Sequence, residues 1–396
     1  MKYLLLVILF INVAYSQEKE NTYLEDLNGV VERMVTFMSK FVPPVVDPKK
    51  KKQTYVDVAQ QDLSNSVKIA GTYADREVLK FTNFCLDCNT TKKDFNEPYC
   101  TPCEKLKVQQ SKNTTVSEEI DRFFLTNKYM DSTNSTYVKI TTAMKYSTMT
   151  AYDPSINFNA SVDLGLSQKR LQLFINNIND ENFDNVGNGE HGTYLDPQES
   201  KHSKQSIGLQ MLMPKFLKIN TKTMVGVNGF DAFTSVRFDR DFNVGDFKMD
   251  VVESIKYSTR DNLQDKTELF IDHAVTKKSL TRVYFNRFEN HGDYGMGYTA
   301  ALEYFFNPNK FSGFSASAEA DGNTKFKRTY TGTSPNTTED SQNMIYNYSV
   351  TTSLRQNFYR KWLYYQLTPA VSWNKNNSFQ AEYIVQLSFD FYFGDV

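Results

Sequence analysis

Residues 135–396 predict an all-β fold, an antiparallel transmembrane β-barrel of about fourteen strands, on three observations. From about residue 136 onward, apolar and polar residues alternate with a period of two. The chain holds 30 Phe and 24 Tyr, yet its mean hydropathy is negative. No stretch reaches the roughly 18 consecutive apolar residues of a membrane helix. A barrel places its apolar residues at every second position, so it meets lipid with a low average hydropathy. A soluble β-sandwich alternates too, but it hides its apolar faces in one finite core and has no use for aromatics on every strand.

The first residues run Met1-Lys2-Tyr3, then the apolar Leu4–Ile11, then Ala14-Tyr15-Ser16 before the charged Gln17–Glu20. That order matches a basic n-region, a short h-region and a small-x-small cleavage site, so 1–16 are expected to be a signal peptide. Lys2 is the only charge in it, and without it the basic count falls from 45 to 44 against 46 acidic residues. A balance this close to neutral offers nucleic acid no attractive field, and no nucleic-acid partner is expected.

Residues 17–134 read as an exported segment of small helices. Leu24, Leu27, Val31, Met34, Met38 and Phe41 recur at spacings of three and four, one side of a helix over 22–42 that Pro43-Pro44 ends. The seam suits either packing within the segment or self-association. Lys49–Lys52 lie in a polar linker. A second helix is expected within 55–70. A third rests on Thr115-x-x-Glu118, the form of a capping box, with Val116, Ile120, Phe123 and Phe124 as its apolar side. Between them, Cys85-Leu-Asp-Cys88 and Cys100-Thr-Pro-Cys103 form a paired CxxC motif. Export favours disulfides, and the spacing also admits a four-thiolate metal site. Asn89 and Glu104 follow the second Cys of each motif where covalent haem needs His, and no cofactor is expected.

Barrel strands are then expected near 136–146, 156–166 and 170–176. Further strands follow near 205–213, 217–227, 233–240, 246–257, 266–275, 280–288, 295–306, 312–320, 343–356, 362–373 and 380–393. Fourteen is the even count that closes a sheet on itself. The shortness of 233–240 and Pro369 inside 362–373 leave twelve or sixteen open. The two long connections, 178–204 and 321–342, fall on the same side of a fourteen-strand barrel, and every connection on the other side is short.

The last strand runs Ala381-Glu-Tyr-Ile-Val-Gln-Leu-Ser-Phe-Asp-Phe-Tyr-Phe393, apolar at every odd position. This pattern resembles the C-terminal strand of Gram-negative outer-membrane barrels, with Gly394-Asp395-Val396 following where that family ends on the aromatic. The segment Ile120-Asp-Arg-Phe-Phe124 is similar to what precedes the barrel in some uncharacterised members. The resemblance implies insertion by the barrel-insertion machinery through Ala381 to Phe393, with outer-membrane lipid around the strands. It also implies that 17–134 lie in the periplasm, where they have a periplasmic partner if the barrel serves as an anchor.

Strand parity turns Lys139, Lys145, Asp163, Arg170, Lys248, Asp250, Glu268, Asp272, Arg282, Glu303, Glu319, Arg355, Glu382 and Asp390 toward the lumen. The signs are mixed, which suits either a weakly selective passive pore for small solutes or a paired charge network filling an anchoring barrel. An outer-membrane lipid hydrolase would need a Ser and a His together at the lipid boundary. His191, His202 and His291 fall in outer loops and His273 near the inner end of a strand, so no catalytic residue is expected.

Overall fold

The structure is a computed structural model. It describes residues 60–69, 115–124, 137–149, 151–164, 171–176, 206–213, 219–229, 231–259, 262–290, 296–324, 326–327, 339–340, 343–358, 360 and 362–394. Helix α1 covers 60–69 and helix α2 covers Val116–Phe124. The strands begin with β1 (Tyr137–Ser147), β2 (Ala151–Leu164), β3 (Leu171–Asn176), β4 (Ser206–Leu212) and β5 (Asn220–Asn228). They continue with β6 (Asp231–Val244), β7 (Phe247–Ser258), β8 (Asn262–Thr276), β9 (Ser279–Asn290), β10 (Met296–Asn309) and β11 (Ser312–Asn323). A two-stranded sheet, β12 (Phe326–Lys327) with β13 (Glu339–Asp340), stands apart. The chain closes with β14 (Met344–Asn357), β15 (Leu363–Asn374) and β16 (Ala381–Gly394).

Fourteen of these strands form one closed antiparallel barrel, each pairing with its sequence neighbours and β1 pairing with β16 from Tyr137↔Gly394 to Ser147↔Ile384. The region read as strand 233–240 is a full-length strand, Asp231–Val244, and so removes the reason to count twelve. Pro369 leaves a trace but does not break its strand. The ladder between β14 and β15 lapses between Thr351↔Ala370 and Leu354↔Leu367, where proline offers no N–H, while β15 pairs with β16 without interruption. Thr368 Oγ1 donates to Ser353 Oγ across the gap at 3.3 Å.

At one end, the short-turn end, no connection exceeds seven residues. There Gly245, at φ 59°, makes the two-residue β6–β7 turn possible. The long connections 177–205 and 324–343 lie at the other, long-loop end. β1 begins and β16 ends at the short-turn end.

Alternation along each strand separates two environments. Inward positions are mostly polar and buried, with an apolar cluster of Val252, Phe270, Tyr284 and Ala301 among them, and outward positions carry exposed apolar side chains such as Ile156, Val225, Phe285, Leu302 and Val385. Aromatics edge this belt, with Phe247, Trp362, Phe391 and Phe393 at the short-turn end and Tyr146, Tyr152, Tyr257, Tyr348 and Tyr383 at the other. On β16, Phe393 lies ten residues beyond Tyr383. At about 3.3 Å rise and a tilt near 40°, that is roughly 25 Å of height, the thickness of the apolar band on a membrane barrel.

Two inward aromatic rings pack closely against glycines on the neighbouring strand, Phe174 on Gly208 and Phe233 on Gly226. A Cβ at Gly208 would meet the backbone carbonyl of Val225 and the Cα of Gly226, neither of which can yield. Gly208→Ala is therefore expected to cost about 1–3 kcal/mol by overpacking, measured as the urea midpoint of the folded protein in detergent. An unchanged midpoint would contradict the close β4–β5 approach.

Candidate functional site

The most elaborate polar arrangement of the barrel lies inside the short-turn mouth, where α2 meets the inner wall. The helix starts locally: Thr115 N donates to Glu118 Oε2 at 3.1 Å and Glu118 N to Thr115 Oγ1 at 3.3 Å, the reciprocal bonds of a capping box. Its four-residue spacing then puts Ser117 and Asp121 on one line, beside Ile120, and all three are buried.

That line faces Arg282 on β9. Arg282 donates from Nη1 to Asp121 Oδ1 at 2.9 Å and from Nη2 to Asp121 Oδ2 at 3.0 Å. It also donates from Nε to Asp272 Oδ1 at 2.6 Å and from Nη2 to Asp272 Oδ2 at 2.9 Å. Ser117 Oγ donates to Asp272 Oδ2 at 2.5 Å. One guanidinium, wholly buried, thus bridges a carboxylate of the wall and one of the helix, both in the paired two-oxygen geometry that arginine favours. Lys248 on β7 reaches Glu118 at 3.5 Å.

Apolar contacts seat the rest of the helix. Ile120 packs with Leu280 and Phe305, flanked by Val116 and Phe124. Phe123 lies so close to Gly313 on β11 that a Cβ there would stand 2.5 Å from its ring, and its centroid is 6.4 Å from that of Tyr364 on β15. The helix therefore touches the wall from β7 to β15. Fourteen strands about 4.8 Å apart and tilted near 40° give a backbone diameter of roughly 28 Å, or about 15 Å between side-chain layers. At 1.5 Å per residue the nine residues of α2 are about 13 Å long, close to the free width.

A second network adjoins the first through Tyr364. Arg355 donates to Asp390 Oδ2 at 2.6 Å, to Gln366 Oε1 at 3.0 Å and to the Tyr392 hydroxyl at 3.2 Å, and its guanidinium lies 4.5 Å from the centre of the Tyr364 ring. Lys139 stands 3.7 Å from the same Asp390, whose Oδ1 accepts from Thr141 at 2.6 Å. Because Asp390 and Tyr392 lie on β16 and Lys139 and Thr141 on β1, this network fastens the barrel closure. Helix α1 reaches the same end, with Gln60 Nε2 donating to Tyr392 O at 3.4 Å.

The remaining charges that parity turned inward are distributed as follows. Asp250, Glu303 and Glu319 are buried on the inner wall, with Glu303 opposite Arg282 in register. Glu268 takes Lys266 at 3.1 Å and the Tyr284 hydroxyl at 3.0 Å. Glu382 accepts from the Ser147 hydroxyl, and Lys145 stands opposite Asp153 and Gln386. Arg170 and the side chain of Asp163 lie outside the described residues, as do Cys85, Cys88, Cys100, Cys103 and the helix expected over 22–42. Among the described residues no group of three or more His, Cys, Asp or Glu has metal-holding geometry.

Parity also places Lys222, Arg237, Lys256 and Lys266 inward on β5–β8 and Asp321 inward on β11, residues that strand reading could have collected and did not. Nothing in sequence announces the polar line of α2 as half of a clamp. His273 is outward, 5.0 Å from the Phe247 ring, and its register neighbours are Phe247 and Thr281. No serine stands at either position.

No family model and no curated protein sequence matches this chain. Among solved structures it is similar in fold to OmpT of Vibrio cholerae, at 7% identity and a TM-score of 0.39, covering 65% of this chain and 96% of that one. Pseudomonas aeruginosa OccK5 has 5% identity and a TM-score of 0.37, over 65% of this chain and 97% of that one. A KdgM porin in complex with disordered oligogalacturonate has 8% identity and a TM-score of 0.29, over 64% and 98%. At such values the likeness is one of architecture alone. On its own topology and its outward belt, the chain is a closed fourteen-strand membrane barrel that holds a helix of its own preceding segment against the inner wall.

Proposed function

We propose that this protein is an outer-membrane channel of the passive kind, held closed at its periplasmic mouth by α2. In this reading 1–16 direct export, the strands lie in outer-membrane lipid after insertion through Ala381 to Phe393, and 17–134 stay on the periplasmic side. The observation that carries it is the clamp of Arg282 on Asp121, which joins a helix outside the strand order to the lumen wall. Buried ion pairs add little net stability compared with apolar packing, but they specify register and suit elements that switch. Once α2 leaves, mixed lumen charges such as Lys256, Lys266, Glu268 and Glu303 would give weak ion selectivity. No catalytic role is assigned to any residue.

A second reading is an envelope-anchoring barrel with a permanently filled lumen and a periplasmic partner. The apolar seat of Ile120, Phe123 and Phe124 favours it. Single-channel recording in planar bilayers, on the intact protein and on one lacking 17–134, separates the two. The channel reading expects few or no steps from the intact protein and stable steps after truncation. Silence from both, with folding verified by heat-dependent gel migration, would leave the anchor.

A further inference from the structure

We propose that the outward face of β7–β9 is covered in the membrane by a second copy of this chain, the two copies related by a two-fold axis along the membrane normal. The inference rests on the lipid-facing belt and not on whether the barrel conducts.

The belt carries its charges in one place. Phe247 and Tyr257 mark its two edges on β7, and Glu253 points outward between them, six residues from the one and four from the other. At about 3.3 Å rise and a tilt near 40°, four residues set its Cα roughly 10 Å inside the nearer edge. Its outward neighbours along β7, Val251 and Ile255, are apolar. On the next two strands Arg287 of β9 pairs with Asp265 of β8 at 3.1 Å and with Glu289 at 2.7 Å. On the other barrel strands the described outward side chains between the aromatic edges are uncharged. Arg240 on β6 lies past the last β5 pairing, Asn220↔Asp239, at the short-turn edge.

A carboxylate at the depth of Glu253 is costly against hydrocarbon, and ionisable groups inside a membrane face protein or water and pair with one another. Glu253 accepts a hydrogen bond from Thr267 Oγ1 at 2.7 Å, and among the described residues no cation pairs with it. Apolar side chains gain little by exchanging lipid for one another, so polar groups select the face that associates.

Register supplies the cation. Glu253 stands opposite Thr267 and Thr267 opposite Arg287, one row across three strands. The row climbs with the strand tilt by about 3 Å per strand, which leaves Arg287 roughly 6 Å nearer the long-loop end than Glu253. A two-fold axis passing in front of β8 sets β7 of one copy against β9 of the other. Each Glu253 then faces the partner's Arg287, within the span of an arginine stem, and symmetry makes the contact twice. The Arg287 side chain is 43% exposed while it holds Asp265 and Glu289, which leaves its guanidinium open to a third carboxylate. A ring of three or more copies would join two different faces, and among the described residues no second face carries a cation inside the belt.

The test is made on the full chain in lipid vesicles. Photobleaching of singly labelled protein at high dilution counts the copies, and a photo-crosslinking residue at Leu269, outward at the centre of β8, reads the contact. Two bleaching steps and a crosslinked species of twice the mass are expected, while the same probe at Val385 on β16 should give no crosslinked dimer. Glu253→Leu and Arg287→Gln should each weaken association at least tenfold. Should Arg287→Gln fold poorly, Glu253→Leu still decides, because it offers lipid an apolar side chain and should leave the urea midpoint of the monomer unchanged or higher. Single steps at every dilution with no crosslink, or association unchanged in both variants, would overturn the proposal. Three or more steps, or a crosslink from Leu269 in cell envelopes to a protein of another mass, would overturn it equally.

Discussion

Replacing Arg282 with alanine is expected to free α2 from the wall and to cost about 3–5 kcal/mol, the usual penalty for removing one partner of a buried ion pair. Arg282 satisfies Asp121 and Asp272 together, so the variant leaves two carboxylates facing each other across the gap the guanidinium filled. Asp272 is fixed on β8 by its ladder, whereas Asp121 sits on a nine-residue helix held by side chains, so the helix is the part that moves. The measurement is the urea midpoint in detergent together with protease cleavage within 115–124. A loss under about 1 kcal/mol with cleavage unchanged would mean that Ile120, Phe123 and Phe124 hold α2 without the clamp. The double variant Arg282→Met, Asp121→Asn tests the pair from the other side. It restores apolar volume and leaves one buried charge fewer unpaired, so it should recover part of the loss.

Leu302→Arg should destabilise the folded barrel by about 2–4 kcal/mol, because it turns a charge into the middle of the lipid-facing belt. Leu302 is 55% exposed in the isolated protein, halfway along β10, while the inward Arg282 opposite its neighbour Glu303 is fully buried. Ser317→Arg is the paired control. Ser317 faces inward opposite Glu303, so an arginine there meets a carboxylate and should change stability by less than about 1 kcal/mol. Refolding equilibria into lipid vesicles across a urea series give both numbers. Equal effects at the two positions would contradict the assignment of the faces.

The two substitutions draw on information that is legible in the chain to very different degrees. Which face of β10 meets lipid follows from alternation over neighbouring residues, and a period of two is a local property of an extended chain. For the same reason the capping box at Thr115 and Glu118 and the turn at Gly245 could be read directly, each being set by residues within a few positions. The strand count came from counting, with loop lengths as a check, and only Pro369 and the region 233–240 blurred it. Pro369 interrupts one ladder and not the other, which no single-strand pattern can express.

The sequence by itself therefore determined the barrel, its two faces and the helix that precedes it. Tertiary structure alone decided what the lumen does with its charges. Asp121 and Arg282 are 161 residues apart, and Arg355 and Asp390 are 35 apart. Their meeting depends on where the closed sheet brings each strand around the ring. Asp321, Thr299, Asn286 and Asn347 likewise fall into one row across the inner wall only through the register of four strands. Alternation says that a side chain points inward; closure and register set which side chain it finds there.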